Sequence, residues 1–201
     1  MPRLVDLPGK AILSCAGIVL VAALLSRWRS PFALFRPETI TAALFLYVPL
    51  FHYWRRPSPS WTRFGDARRN AAVFAALLAA GAAAFLAYAS LPLPPGAAAP
   101  RAAAMPPAAE FLARQALFAA IPEEVFFRGY LYDAFEENGW EPIVLTSALF
   151  AAGHLAIHAS AYRGLTFFPA LLFGWARKKT GNVYVPAALH LAFNALPYLA
   201  G

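Results

Sequence analysis

The sequence predicts an all-α membrane protein, a polytopic bundle of about seven transmembrane helices around a polar intramembrane cavity. Three properties of the 201 residues predict it: 60% are hydrophobic, only 13% are charged, and the mean hydropathy is +0.53. A typical soluble domain is about 45–50% apolar and about 25% charged. This chain has too little charge to cover a water-soluble globule of its size, which argues against a soluble enzyme.

Three apolar runs are found in the first half of the chain. A membrane-spanning helix needs about 20 predominantly apolar residues. Residues 11–26 and 39–54 are shorter, but Lys and Arg at their ends can snorkel and extend both spans. Residues 70–91 form a third span, which ends at Pro92 because proline removes a backbone donor. The Ala/Pro-rich residues 96–107 predict a loop outside the hydrocarbon.

Four more spans are predicted after this loop, at residues 108–132, 142–162, 164–176 and 180–201. We expect a single polytopic membrane domain over residues 1–201. Within it, a motif-bearing core at 108–201 follows accessory spans at 1–95. Three of the four later spans carry polar side chains at positions that would lie within the hydrocarbon.

The net charge of +7 does not indicate a nucleic-acid partner. The basic residues lie between apolar runs, which is the placement of loop anchors on an anionic membrane face. The lipid bilayer is therefore the expected partner. The single cysteine, Cys15, excludes an intrachain disulfide and a thiolate-rich metal site.

Two adjacent acids lie deep in the span at 108–132. At a rise of 1.5 Å per residue, Glu123 and Glu124 are about 20 Å along this helix, where ionisable groups are costly and are candidates for function. Glu124 and Arg128 are four residues apart, which predicts an ion pair on one helical face. Glu123 points about 100° away and lacks that partner. Loss of solvation then makes it a better proton acceptor, as a general base requires.

Two other readings of this acidic pair remain open. The charges can form a buried cluster that only locks helix packing. Alternatively, the helix can lie at the membrane interface with these groups in water. The apolar runs on either side favour the buried position.

Two later spans each carry a pair of residues four apart, and therefore on one helical face. The pairs are Phe150 with His154 and His190 with Asn194. A single histidine in an apolar span is commonly a core residue. Acids, histidines, an arginine and an asparagine spread over three spans indicate instead one wet cavity within a helix bundle.

In their order and spacing these patterns resemble the three motifs of the CAAX-processing and bacteriocin-processing membrane protease family. They read Glu-Glu-x-x-x-Arg at 123–128, Phe-x-x-x-His at 150–154 and His-x-x-x-Asn at 190–194. The resemblance covers about residues 110–200 and implies an all-helical intramembrane glutamic peptidase. It assigns roles to six residues in pairs: Glu123 and His154 hold and activate the attacking water, His190 and Asn194 stabilise the oxyanion, and Glu124 and Arg128 orient the site.

The resemblance also implies a membrane-anchored protein or peptide as substrate, cut near a C-terminal tail or sorting signal. The Ala/Pro/Arg-rich composition suggests a GC-rich bacterial genome, where prenylated proteins are not expected. We therefore expect a sorting tail or another membrane-anchored substrate, as for the myxosortase-like members of the family. The expected location is the bacterial inner membrane.

No cofactor is expected, and a zinc-dependent version of the same protease is the nearest alternative. His154 and His158 have the spacing of zincin helices, but those helices carry Glu directly after the first His, where this chain has Leu155. His154, His158 and His190, with a glutamate nearby, could still bind a zinc ion. A non-catalytic immunity or scaffold protein is a second alternative. A proton-coupled transporter fits less well, because no pair of corresponding broken helices is present.

Overall fold

A computed structural model of the protein describes residues 7–27, 36–92 and 107–200. These residues are helical and include no strand, which confirms the predicted all-α class. The predicted loop at 96–107 lies outside the described residues except for Pro107.

Seven long helices and one single-turn helix make up the described chain. They are α1 (Leu7–Arg27), α2 (Pro37–Tyr53), α3 (Ala67–Ala89), α4 (108–136), α5 (Pro142–Ile157), α6 (Ala161–Gly164), α7 (Phe167–Thr180) and α8 (Tyr184–Ala200). A short 3₁₀ turn, Ser60–Thr62, precedes α3. Each long helix overlaps one predicted span.

The boundaries of the helices differ from the predicted spans by several residues, and two of these differences affect the site. The span predicted at 142–162 ends earlier, because α5 stops at Ile157 and His158 has an extended backbone. The span predicted at 164–176 ends later, because α7 includes the basic residues Arg177, Lys178 and Lys179. Cations are favoured in the last turn of a helix, where they face the negative end of its dipole. The left-handed Gly181, with φ of 72°, then ends α7.

The helices pack in two groups that meet where α5 packs against α7. In the first group, α1, α2, α4 and α5 enclose a cluster of buried aromatic rings that includes Phe45, Phe126 and Phe150. In the second group, α3, α7 and α8 meet around Phe173 and Leu189. The packing of α5 against α7 joins the two groups.

The outward faces of the long helices are apolar. The most apolar windows of α1 and α3 are only 22% and 11% buried within the bundle. Leu13 is 72% exposed and Phe51 is 75% exposed, although both are large hydrophobic residues. A water-soluble protein rarely exposes so much apolar surface. The bundle therefore has the exterior of a membrane protein.

Asn182 connects α8 to the start of α3. Its Oδ1 accepts hydrogen bonds from the backbone N–H groups of Tyr184 and Val185, at 3.0 and 3.2 Å, and so caps α8. Its Nδ2 donates to Phe64 O at 3.0 Å and to Asn70 Oδ1 at 3.1 Å. The side chain is fully buried, so these bonds fix the helix that carries His190.

Gly129 permits a close approach between α4 and the 3₁₀ turn. A Cβ atom at this position would lie 2.9 Å from Cε2 of Trp61, whose ring is buried. We expect Gly129→Ala to lower the melting temperature in detergent, since overpacking of this kind typically costs about 1–3 kcal/mol.

Gly17→Ala is the matched control, because a Cβ at Gly17 in α1 meets no described atom within 4 Å. Alanine is preferred over glycine in a helix by about 0.5–1 kcal/mol, so this variant should melt at or above the wild-type temperature. A Gly129→Ala protein as stable as Gly17→Ala would contradict the close packing of α4.

Candidate active site

The helix that carries both acids is continuous but not uniformly α-helical. Within α4, π-helical turns at Ala116–Ala120 and Val125–Leu131 flank the α-helical segment Ile121–Glu124. Pro122 supplies a reason for the first wide turn. Proline lacks an N–H group and its ring clashes with the carbonyl four residues earlier, so a regular α-helix cannot pass through it. Wide turns of this kind are frequently found at functional sites.

Glu124 lies at the centre of a fully buried network. Its Oε1 accepts a hydrogen bond from Arg128 Nη1 at 3.0 Å, and both side chains have no exposed surface. His190 Nδ1 lies 2.9 Å from the same oxygen. The predicted Glu124–Arg128 ion pair is therefore confirmed, and it includes a histidine from α8.

Arg128 and His190 are also held by the rings and backbone around them. Arg128 Nη2 donates to Ala170 O at 2.9 Å, and its guanidinium carbon lies 5.0 Å from the ring centre of Phe150. Phe173 stacks on His190, with ring centres 5.0 Å apart and planes 16° from parallel. Such packing leaves each polar group a single orientation.

Glu123 faces the other way and lines a cavity of about 130 Å³ among α1, α2, α4, α5 and α6. Its side chain is 17% exposed, and its Oε2 has no hydrogen-bond partner within the described residues. The two adjacent acids therefore enter different environments, as their angular separation predicts. A cavity of this size has room for more than one water molecule.

His154 lines the same cavity as Glu123. Its Nδ1 lies 3.0 Å from Phe150 O. A carbonyl oxygen only accepts, so Nδ1 must carry the proton, and Nε2 of the neutral ring is left as an acceptor. The structure thus provides a carboxylate and an imidazole acceptor in one cavity.

The two residues assigned to the oxyanion are placed differently. His190 Nε2 lies 3.8 Å from Glu123 Oε2, so this histidine contacts both acids. Asn194 donates from Nδ2 to Gln115 Oε1 at 2.8 Å and does not line the cavity. Gln115 was not predicted, although it lies eight residues before Glu123 and so on a similar face of α4.

One inference from the sequence needs correction. His154 and His158 do not share a helical face, because α5 ends at Ile157 and the backbone of His158 is extended. The structure also places a second cation near the acids, since Arg163 of α6 lines the cavity with Glu123. The sequence offers little signal for Arg163, because a basic residue between two spans is normally a loop anchor.

Side chains that could bind a metal do not converge in the described part of the chain. No three His, Cys, Asp or Glu residues there are close enough to share an ion. In particular, His154, His158 and His190 do not form the three-ligand set of the zinc alternative.

The part of the chain that contains these site residues is similar to a known protein family. Residues 106–196 match the family model described as type II CAAX prenyl endopeptidase Rce1-like. The match covers 91 of the 201 residues of the chain, so the similarity is one of this part of the chain. No curated protein and no solved structure matches the chain. The Rce1-like family is membrane-embedded and implies a CAAX-type intramembrane protease.

The matched range contains all six predicted site residues, because it begins just before α4 and ends within α8. The cavity, however, is not built from this range alone. Val19 and Ala22 of α1 and Thr41 and Phe45 of α2 complete its wall. Helices outside the matched range therefore shape the space in front of Glu123.

The buried network generates a stability prediction. Arg128→Met should lower the melting temperature in detergent, since it leaves Glu124 at zero exposure without a counter-charge. Breaking a buried pair in this way costs on the order of 3–5 kcal/mol.

The double variant Glu124→Gln/Arg128→Met separates charge imbalance from loss of packing. It removes both charges, and the amide oxygen of Gln still accepts from His190, so it should melt above the single Arg128→Met variant. If the double and single variants melt at the same temperature, the ion pair does not account for the loss.

Proposed function

We propose that the protein is an intramembrane endopeptidase of the glutamic type that cuts membrane-anchored proteins near a C-terminal tail. The observation that carries this proposal is the cavity shared by Glu123 and His154, within a domain whose family implies proteolysis. Glu124 and Arg128, by contrast, are sealed behind it and orient the site. No metal takes part in the proposed reaction.

In the proposed reaction, Glu123 and His154 hold one water molecule between them. The carboxylate of Glu123 and Nε2 of His154 both accept from this water, and Glu123 takes one of its protons. The water oxygen forms a bond to the peptide carbonyl carbon. When the tetrahedral intermediate collapses, the C–N bond breaks and Glu123 returns the proton to the leaving nitrogen.

The oxyanion of this intermediate needs hydrogen-bond donors. His190 donates a hydrogen bond from its Nδ1–H to Glu124, and when the ring is protonated it offers a second N–H, at Nε2 near Glu123. Asn194 Nδ2 carries two protons, of which only one is directed to Gln115. Donors held in this way stabilise charge that develops during the reaction.

We further propose a C-terminal sorting tail or a similar membrane-anchored segment as substrate, in the inner membrane of a bacterium. The apolar side chains of Val19, Ala22, Phe45 and Ile157 in the cavity wall suit an apolar tail. In this proposal all seven long helices cross the membrane. The N-terminal helices α1 and α2 then contribute to the choice of substrate.

Glu123→Gln tests the proposed base, because glutamine keeps the volume and loses the basicity. We expect it to abolish cleavage while the protein folds normally. The measurement is mass spectrometry of membrane-protein C-termini from bacterial cells that express wild type or variant. Termini trimmed only by wild type identify the substrates.

Glu110→Gln is the matched control, since Glu110 begins the same helix and its side chain is 55% exposed. It should retain full cleavage. Trimming by Glu123→Gln at the wild-type level would show that Glu123 is not the base. A loss of cleavage with a zinc chelator, or in His158→Ala, would instead favour the zinc-dependent version.

Asn194→Ala tests the proposed oxyanion donor. Loss of such a donor typically lowers the rate by about 10²–10³, and we expect this loss in single-turnover cleavage of a substrate identified as above. The melting temperature should change little, because Asn194 is only half-buried and carries no charge. An unstable variant with normal turnover would assign Asn194 to packing instead.

A further inference from the structure

Arg163 is a cation in the cavity that the proposed reaction does not use. It lies on the single-turn helix α6, which follows α5, and lines the cavity together with Glu123 and His154. Its backbone is fixed on both sides. Ser160 Oγ accepts from Arg163 N at 3.3 Å, and Thr166 Oγ1 donates to Arg163 O at 2.6 Å.

The guanidinium group of Arg163 differs from those of the arginines that hold the helices together. Arg128 is paired with Glu124, Arg177 with Asp133 and Arg114 with Glu38. In the part of the chain that the structure describes, the Arg163 side chain forms no ion pair and no hydrogen bond, although the residue is half-buried. Its five donors are therefore available to a ligand.

We propose that Arg163 binds the C-terminal carboxylate of the substrate and so sets how far from the chain end the peptide is cut. This inference rests on the proposed function and adds a binding subsite to it. A guanidinium matches a carboxylate with two parallel hydrogen bonds, and the pair is strong where water is partly excluded. The carboxylate is the one charge that an otherwise apolar tail must bring into this cavity.

The shared cavity fixes the cleavage position. Because Arg163 and Glu123 line one cavity, a carboxylate held at Arg163 places the bond that faces Glu123 a fixed number of residues from the chain end. A longer or amidated tail would not satisfy both contacts.

Binding of a product-like peptide tests this subsite without knowledge of the substrate. The probes are acetyl-Ala-Leu-Leu with a free carboxylate and the same peptide as its C-terminal amide. Isothermal titration of the purified full-length chain in detergent gives both affinities. We expect wild type to bind the acid at least about tenfold more tightly than the amide, as for a charge-assisted pair.

Three variants assign this preference to Arg163. Arg163→Gln should bind acid and amide equally, and Arg163→Lys should keep part of the preference because it keeps the charge but not the fork. Arg69→Gln is the matched control, since Arg69 is exposed at the start of α3 and does not line the cavity. It should leave the preference unchanged.

Several results would overturn the inference. They are equal binding of acid and amide by wild type, no binding of the acid at millimolar concentration, and a preference that survives in Arg163→Gln. If wild type trims membrane proteins in a Glu123-dependent way while any of these results holds, the proposed protease stands and the carboxylate subsite fails. If no protein is trimmed, the proposed function itself fails.

Discussion

The structure depends on one buried carboxylate, that of Glu124. A single oxygen of this group accepts from Arg128 in the same helix and lies against His190 of α8. In an apolar bundle an isolated charge at this position would be prohibitive, so acid and base must be buried together. The requirement links α4 to α8 by electrostatics, and Arg128 extends the link to α7 through the carbonyl of Ala170. These hydrogen bonds fix the positions of α4, α7 and α8 relative to one another.

The network also explains why two adjacent acids lie in different environments. Neighbouring residues on a helix point about 100° apart, so one carboxylate is directed into the network and the other into the cavity. Glu124 accepts through Oε1 from its partners, has no exposed surface and does not line the cavity. Glu123 lines the cavity, and its Oε2 has no hydrogen-bond partner among the described residues. In the proposed reaction it is therefore Glu123 that accepts a proton from water.

The sequence predicts the helices and the ion pair because both follow from local rules. Apolar runs define the seven long helices, and a spacing of four residues brings Glu124 to Arg128. The failures occur where tertiary context decides. His158 does not share a helical face with His154, because α5 ends one residue earlier. Gln115 of α4 accepts a hydrogen bond from Asn194 of α8, a contact between two helices that are distant in the sequence. Arg163 lines the cavity because α6 packs next to α5, and no local sequence pattern predicts this position.

The charges around the cavity further limit what it can accept. When both acids are ionised and His190 is neutral, Glu123, Glu124 and Arg128 together carry one net negative charge, and Arg163 balances it. An anionic chain end brought close to Glu123 without a cation would be repelled in this weakly screening environment. With the chain end on Arg163, the negative charge of Glu123 is again unbalanced, which favours its uptake of a proton from the attacking water. Substrate binding and activation of the base would then be two consequences of the same arginine.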